Sequence, residues 1–196
     1  MEFQDVVRRR RMVRKFTSDP VPADSVERML ANATRGPSAG FSQGQAFLVL
    51  EGESLEKFWT IGGEATFESV RTAPLVIVPL SCKRIYLDRY AEPDKGWADR
   101  DESRWPVPFW HIDTGMATLL ILQTAVDEGL GAVYFGIIPP QVQPFRDLYG
   151  VPEDHEPIGA IAIGYSDEPV PQFTSALTRR RRSLDDVVHR GHWLKK

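Results

Sequence analysis

The sequence predicts one α+β domain in which helices surround a central mixed or antiparallel sheet. Short apolar runs rich in β-branched residues recur at 46–50, 73–80, 132–138 and 158–165, each closed by turn residues and each of strand length. Between them lie stretches with apolar residues at helical spacing, and one stretch, 114–128, that is apolar on every side. At 196 residues the chain has the length of a single domain able to bury a core without disulfides or structural metal.

The first element is an amphipathic helix. Asp24-Ser25-Val26-Glu27 has a capping-box pattern, Val26, Met29, Leu30 and Ala33 follow at i, i+3, i+4, i+7, and Gly36-Pro37 ends the run. The small-residue loop Gly36 to Gly40 then leads to a strand from Ala46 to Leu50, closed by Glu51-Gly52; loops so placed commonly bind ligands. Leu55 to Trp59 reads as a helix, and Ala73 to Leu80 as a buried strand with prolines suited to strand ends. From Lys83 to Trp110 the aromatic residues Tyr86, Tyr90, Trp97, Trp105, Phe109 and Trp110 are scattered among charges and prolines without a clear period, which reads as a long excursion or lid at about 83–110. Asp113 is placed to cap a helix from about Thr114 to Glu128, ended by Gly129-Leu130-Gly131, and its all-round apolarity calls for burial in the domain or in a subunit interface. Strands at Ala132 to Ile138 and Ile158 to Tyr165, with a short helix from Gln141 to Leu148 between them, complete the chain.

Composition narrows the function classes. Hydrophobic residues at 42% and charged residues at 26% are those of a globular protein. No segment reaches the roughly 18 apolar residues of a membrane span, and Met1 to Arg14 has no apolar stretch of signal-peptide length, so a cytoplasmic protein is expected. Cys82 is the only cysteine, which excludes an intramolecular disulfide and a CxxC metal site and reads as a small buried hydrophobe. With 24 basic against 27 acidic residues, a general attraction to nucleic acid is not expected. His111, His155, His189 and His192 show no metal-ligand spacing, so no metal is expected; His111, beside the lid, is the one to watch.

Two arginine runs stand out: Arg8 to Arg11 with Arg14-Lys15 behind, and Arg179 to Arg182 near the far end. Guanidinium forks suit phosphate, although a charge run is as often a solvated face. Beside the Pro-Ser-Ala-Gly loop and the Gly-Leu-Gly turn, the runs describe one anionic ligand held from several sides.

Arg10-Arg11-Met12-Val13-Arg14-Lys15-Phe16 resembles the N-terminal RRSxRxF signature of the nitroreductase family, flavoenzymes that bind FMN at a dimer interface. Gly36 to Phe47 resembles the family's PSxxNxQPWxF loop, Ala73-Pro74 with its strand matches too, Gly129 to Gly136 resembles the GLG strand, and Arg181 to Val188 resembles the basic-then-LEEVV ending. The resemblance implies a nitroreductase-like fold, an intertwined homodimer, and hydride transfer from NADPH or NADH through FMN to a nitroaromatic, quinone or similar planar acceptor. It equally accommodates dehalogenation, flavin fragmentation, a deazaflavin, or a binding protein without turnover.

By the same resemblance Arg10 and Arg11 would hold the FMN phosphate with Arg179 and Arg181, and Arg14 would reach the pyrimidine side of the ring. Met12 stands where a serine commonly helps the phosphate. Pro37, Ser38 and Ala39 would come from the partner subunit, Gln43 would bond the ring or ribityl edge, and Tyr134, Phe135 and Gly136 would lie against one flavin face. Phe41, in place of the usual Asn, and Tyr86, Trp105 and Trp110 are candidate acceptor contacts; Gly44 replaces the usual Pro. No protein nucleophile or acid-base residue is required, because the cofactor carries the chemistry.

Overall fold

The strand read at 73–80 is the middle of the sheet. In the computed structural model, which describes residues 1–61, 68–169 and 182–193, β1 (Gln45–Leu50), β2 (Leu75–Ser81), β3 (Gly131–Phe135), β4 (Glu156–Pro157) and β5 (Ala160–Gly164) form one sheet of order β1-β2-β5-β3, with β4 also on β2. Every strand pair is antiparallel. Among the described residues the one parallel contact is a single bridge from Met12 to Ala132. All seven residues of β2 are buried. Its Pro79 has no N–H to give, and it falls where the β5 ladder has stopped at Ile77 and the β4 ladder has yet to begin at Leu80.

Alternation along the strands divides the core in two. Val76, Val78 and Leu80 pack with Leu55 and Phe58 of α3 (Gly52–Ile61) and Phe145 of α6 (Pro139–Tyr149). Leu75 and Ile77 face the other way, onto Met29 of α2 (Ala23–Ala33) and Ile121 and Ala125 of α5 (Phe109–Asp127). The remaining helices are α1 (Phe3–Arg9), α4 (Lys83–Ala91) and α7 (Leu184–Val187).

Three sequence expectations are corrected. The capping box does not cap: Pro22 is the N-cap of α2 without a side-chain bond, and Asp24 lies in the first turn. Asp113 is not a cap either, because α5 starts at Phe109 with Pro108 before it, which puts Asp113 inside the helix at 4% exposure. The stretch 83–110 contains a helix, α4, whose inward face is made by Tyr86 and Tyr90 at i, i+4 in place of aliphatic residues.

The apolar helix α5 is buried on one side only. The buried Thr114, Thr118 and Thr124 hydroxyls donate to the carbonyls four residues back at 2.7, 2.8 and 2.8 Å, so no hydroxyl is stranded. On the opposite side Ile112 and Leu119 are 40% and 45% exposed, with Gly115 and Met116 half-buried between them at i+3 and i+4. Among the described residues, no helix is long and apolar enough to cross a membrane.

Candidate cofactor site

The arginine-rich N-terminal segment is laid along the free edge of β3. Val13 N–H donates to the Ala132 carbonyl at 2.9 Å, Met12 bridges to Ala132, and Phe16, itself buried, donates to Thr72 Oγ1 at 2.9 Å and bridges to Ser166. Gly131 has to be glycine here, since a Cβ would lie 2.8 Å from the Val13 side chain. The segment is thereby fixed with Arg11 on an open cleft of about 200 Å³, beside Arg9, Val126, Gly129 and Gly131.

The arginines are not equivalent. Arg11 forms an ion pair with Glu168 and donates to Ser166 Oγ at 3.3 Å. Burial pushes the Glu168 carboxyl up, but the Arg14 N–H at 2.5 Å and the Arg11 guanidinium outweigh it and hold the carboxyl below its usual range. Arg14 also reaches the Met12 carbonyl at 3.4 Å. Arg10 is half-buried, and its side chain has no partner among the described residues. Arg179 and Arg181 lie outside the described residues.

The loop from Pro37 to Gly44 forms a second group. The Asp113 carboxylate accepts from Ala39 N–H at 2.8 Å and from the Tyr86 hydroxyl at 2.9 Å, both on Oδ2. Burial first, then the bond to Asp113, pushes the Tyr86 phenol up. Ser38 Oγ accepts from Gln43 N–H at 3.0 Å, and the Arg89 guanidinium donates to the Gly40 carbonyl at 3.0 Å.

These two groups stand at opposite ends of α5. The loop is tied to Asp113, and the N-terminal amine to Asp127 at 2.5 Å. Fourteen residues of helix separate those anchors, about 21 Å. One subunit brings Arg10, Arg11, Met12 and Arg14 together with β3, and separately Pro37, Ser38, Ala39, Phe41 and Gln43. It does not bring the two sets onto the same part of a ligand.

A nitroreductase family sequence profile matches residues 7–66 and 61–165. The chain belongs to the nitroreductase family. A Methanothermobacter thermautotrophicus protein with the provisional name NADH dehydrogenase/NAD(P)H nitroreductase is 30% identical over 172 residues, covering 86% of this chain and 79% of that protein. A Staphylococcus aureus protein named NADPH-dependent oxidoreductase is 25% identical over 191 residues, 96% of this chain and 73% of its own. The crystal structure of a nitroreductase family protein from Streptococcus pneumoniae superposes with a TM-score of 0.78 at 17% identity, covering 96% of this chain and all of that one.

The chain departs from the family pattern at three positions, and two departures have a packing reason. Met12, in place of serine, packs against both core clusters. Gly44, in place of proline, lies under the Tyr86 ring, and a Cβ there would collide with that ring and come within 2.9 Å of the Cys82 carbonyl. Phe41, in place of asparagine, is 75% exposed with φ of 55°.

The remaining candidates are largely engaged with their own chain. Tyr86 is fully buried and Trp110 is 5% exposed. Trp105 sits among Tyr86, Tyr90, Trp97, Phe109 and Trp110 with centroids 4.6–6.1 Å away. Phe135 stacks on Trp59 at 6.1 Å, and the Tyr134 hydroxyl donates to the Ile158 carbonyl while its ring covers Gly159. The main chain at Gly136 is different: it lies past the last ladder pair, Phe135 with Ala160, and the space where a Cβ would sit is open.

Sequence spacing also missed a cluster of Cys82, Asp154 and His155, whose ligand atoms lie within 4.8 Å of one another. Asp154 accepts from His155 Nδ1 at 2.8 Å and from Arg84 Nε at 2.8 Å, and these bonds hold its carboxyl down at about 2. Separation by 72 residues hid the cluster from the sequence.

Proposed function

We propose that this member of the family is an FMN-dependent oxidoreductase that moves hydride from NADPH or NADH to a nitroaromatic, quinone or similar planar acceptor, and that it works as a homodimer. The observation that carries the reading is the division of the site across α5, together with the uncovered apolar stripe of Ile112, Gly115, Met116 and Leu119 on the same helix. A second copy against that stripe buries it and supplies the missing half of the site.

The residues present fit the cofactor. Arg10 has a guanidinium without a partner among the described residues, on the segment that crosses the Gly131 end of β3, and Gly136 leaves room and an N–H at the other end of that strand. Five strand residues separate them, about 16 Å, a span that phosphate, ribityl chain and ring can bridge. FMN, when bound, supplies the hydride chemistry. Arg10 would hold the phosphate, the role the sequence reading also gives to Arg179 and Arg181 outside the described residues; Arg11 is the clamp that fixes the segment to Glu168. Arg14 would supply a cation to the pyrimidine side of the ring, favouring negative charge there. Pro37, Ser38, Ala39 and Gln43 of the second copy close over the ring and exclude water. A single buried cysteine suits the reducing cytoplasm.

The test is the absorbance spectrum of the purified protein after loading with FMN and gel filtration. Stoichiometric retained flavin, with oxidation of NADPH or NADH in the presence of a quinone, is the expected outcome. Arg10→Ala weakens FMN binding by about 1.5–3 kcal/mol. A wild-type protein that retains no flavin refutes the reading.

A further inference from the structure

We infer that Phe41 is the residue that selects the acceptor, its ring held out by a strained backbone to stack on a planar aromatic molecule; this rests on the flavoenzyme reading above. Gly40, Phe41 and Gln43 all have left-handed backbones, with φ of 61°, 55° and 53°. Glycine adopts this conformation freely and asparagine tolerates it, but a bulky aromatic does so only under constraint.

The constraint is visible on every side of the residue. Ahead of it, Ala39 N–H is held by Asp113, and the Gly40 carbonyl by Arg89. A Cβ on Gly40 would lie 2.6 Å from the Tyr90 ring, so the backbone is pressed against α4. Phe41 N–H donates to the Ser38 carbonyl at 2.9 Å, and Ser42 Oγ to the Ala39 carbonyl at 2.6 Å. Behind it, Gly44 is enclosed by Tyr86, and its carbonyl accepts from Cys82 N–H at 2.8 Å. Strain of this kind persists where the surroundings over-determine it, and it gathers at ligand clamps.

The side chain gains nothing from the fold in return. Phe41 is 75% exposed, whereas Tyr86 and Trp110 in the neighbouring aromatic group are interior. An exposed phenyl ring offers an offset or edge-on contact to another ring, and the exposed Gln43 beside it offers amide donors to the oxygens of a quinone or nitro group. The ligand class is therefore a flat aromatic with a polar edge.

Phe41→Asn, which relaxes the backbone, is compared with Phe41→Tyr, which keeps the ring. In Phe41→Asn the Tm rises by about 1–4 °C, and KM for a naphthoquinone rises by about three- to tenfold while KM for ferricyanide moves far less. Phe41→Tyr keeps the naphthoquinone KM. Wild-type turnover with an unmoved naphthoquinone KM in Phe41→Asn, or with both KM values moving together, overturns the role of Phe41 alone. Loss of the dimer in Phe41→Asn makes the ring a subunit contact and likewise overturns it. A flavin-free, inactive wild type instead overturns the flavoenzyme reading on which the role rests.

Discussion

Asp113 Oδ2 receives two donors, one from the ligand-side loop and one from α4, in a setting where water has little access. The carboxylate is a positioning group, since it touches the loop backbone and not a ligand. Tyr86→Phe removes one donor and leaves the buried charge undersatisfied, which costs about 1–3 kcal/mol and is read in urea melts. Asp154 is read through pH. Its carboxyl is held down at about 2 by His155 and Arg84, against about 3.9 in an unfolded chain. Its contribution is therefore fully present above about pH 4 and is lost as pH falls through about 2. The Tm difference between wild type and Asp154→Asn is expected to be constant from pH 7 to 5 and to shrink from pH 4 to 2. A difference that stays constant down to pH 2 would show that the bonds to His155 and Arg84 are not made in solution.

Elements with one repeating pattern were legible, and those whose pattern depends on a distant partner were not. β2 announces itself through seven consecutive residues that are all buried, and α2 through its i, i+3, i+4, i+7 stripe. The sequence hides α4 because its inward residues are tyrosines, whose polar tips blur the apolar period while their rings fill space. Asp113 was visible as the lone acid ahead of an apolar run, but the same signal serves a helix cap and a buried anchor, and only the loop it holds separates the two. The motif residues were legible as candidates; the packing reason for Gly44 was not, because Tyr86 lies 42 positions away. Gly44→Ala drives a methyl group into the Tyr86 ring and the Cys82 carbonyl. Overpacking of this sort costs about 1–3 kcal/mol, so a lowered Tm is expected. A Tm equal to wild type for Gly44→Ala would mean that the ring already has room to move.

Among the described residues, a group of candidate site residues lies at each end of one long helix. About 21 Å of α5 separates the loop anchored at Asp113 from the arginine segment held near Asp127, and the exposed stripe through Ile112 and Leu119 runs between them. In the homodimer proposed above, an antiparallel copy along that stripe would place the loop end of one helix beside the arginine end of the other, making dimerisation and cofactor retention one event. Leu119→Lys tests this because the residue is 45% exposed in the single chain and its replacement leaves the monomer's core intact. In the dimer the same substitution strands an ammonium in an apolar contact, and such an uncompensated charge costs several kcal/mol. Sedimentation is expected to show monomers, and the flavin is expected to be lost in the same fractions, while far-UV circular dichroism stays that of the wild type. Monomers that keep stoichiometric flavin would place the whole site within one subunit, and a Leu119→Lys dimer with its flavin would move the interface off this face of α5.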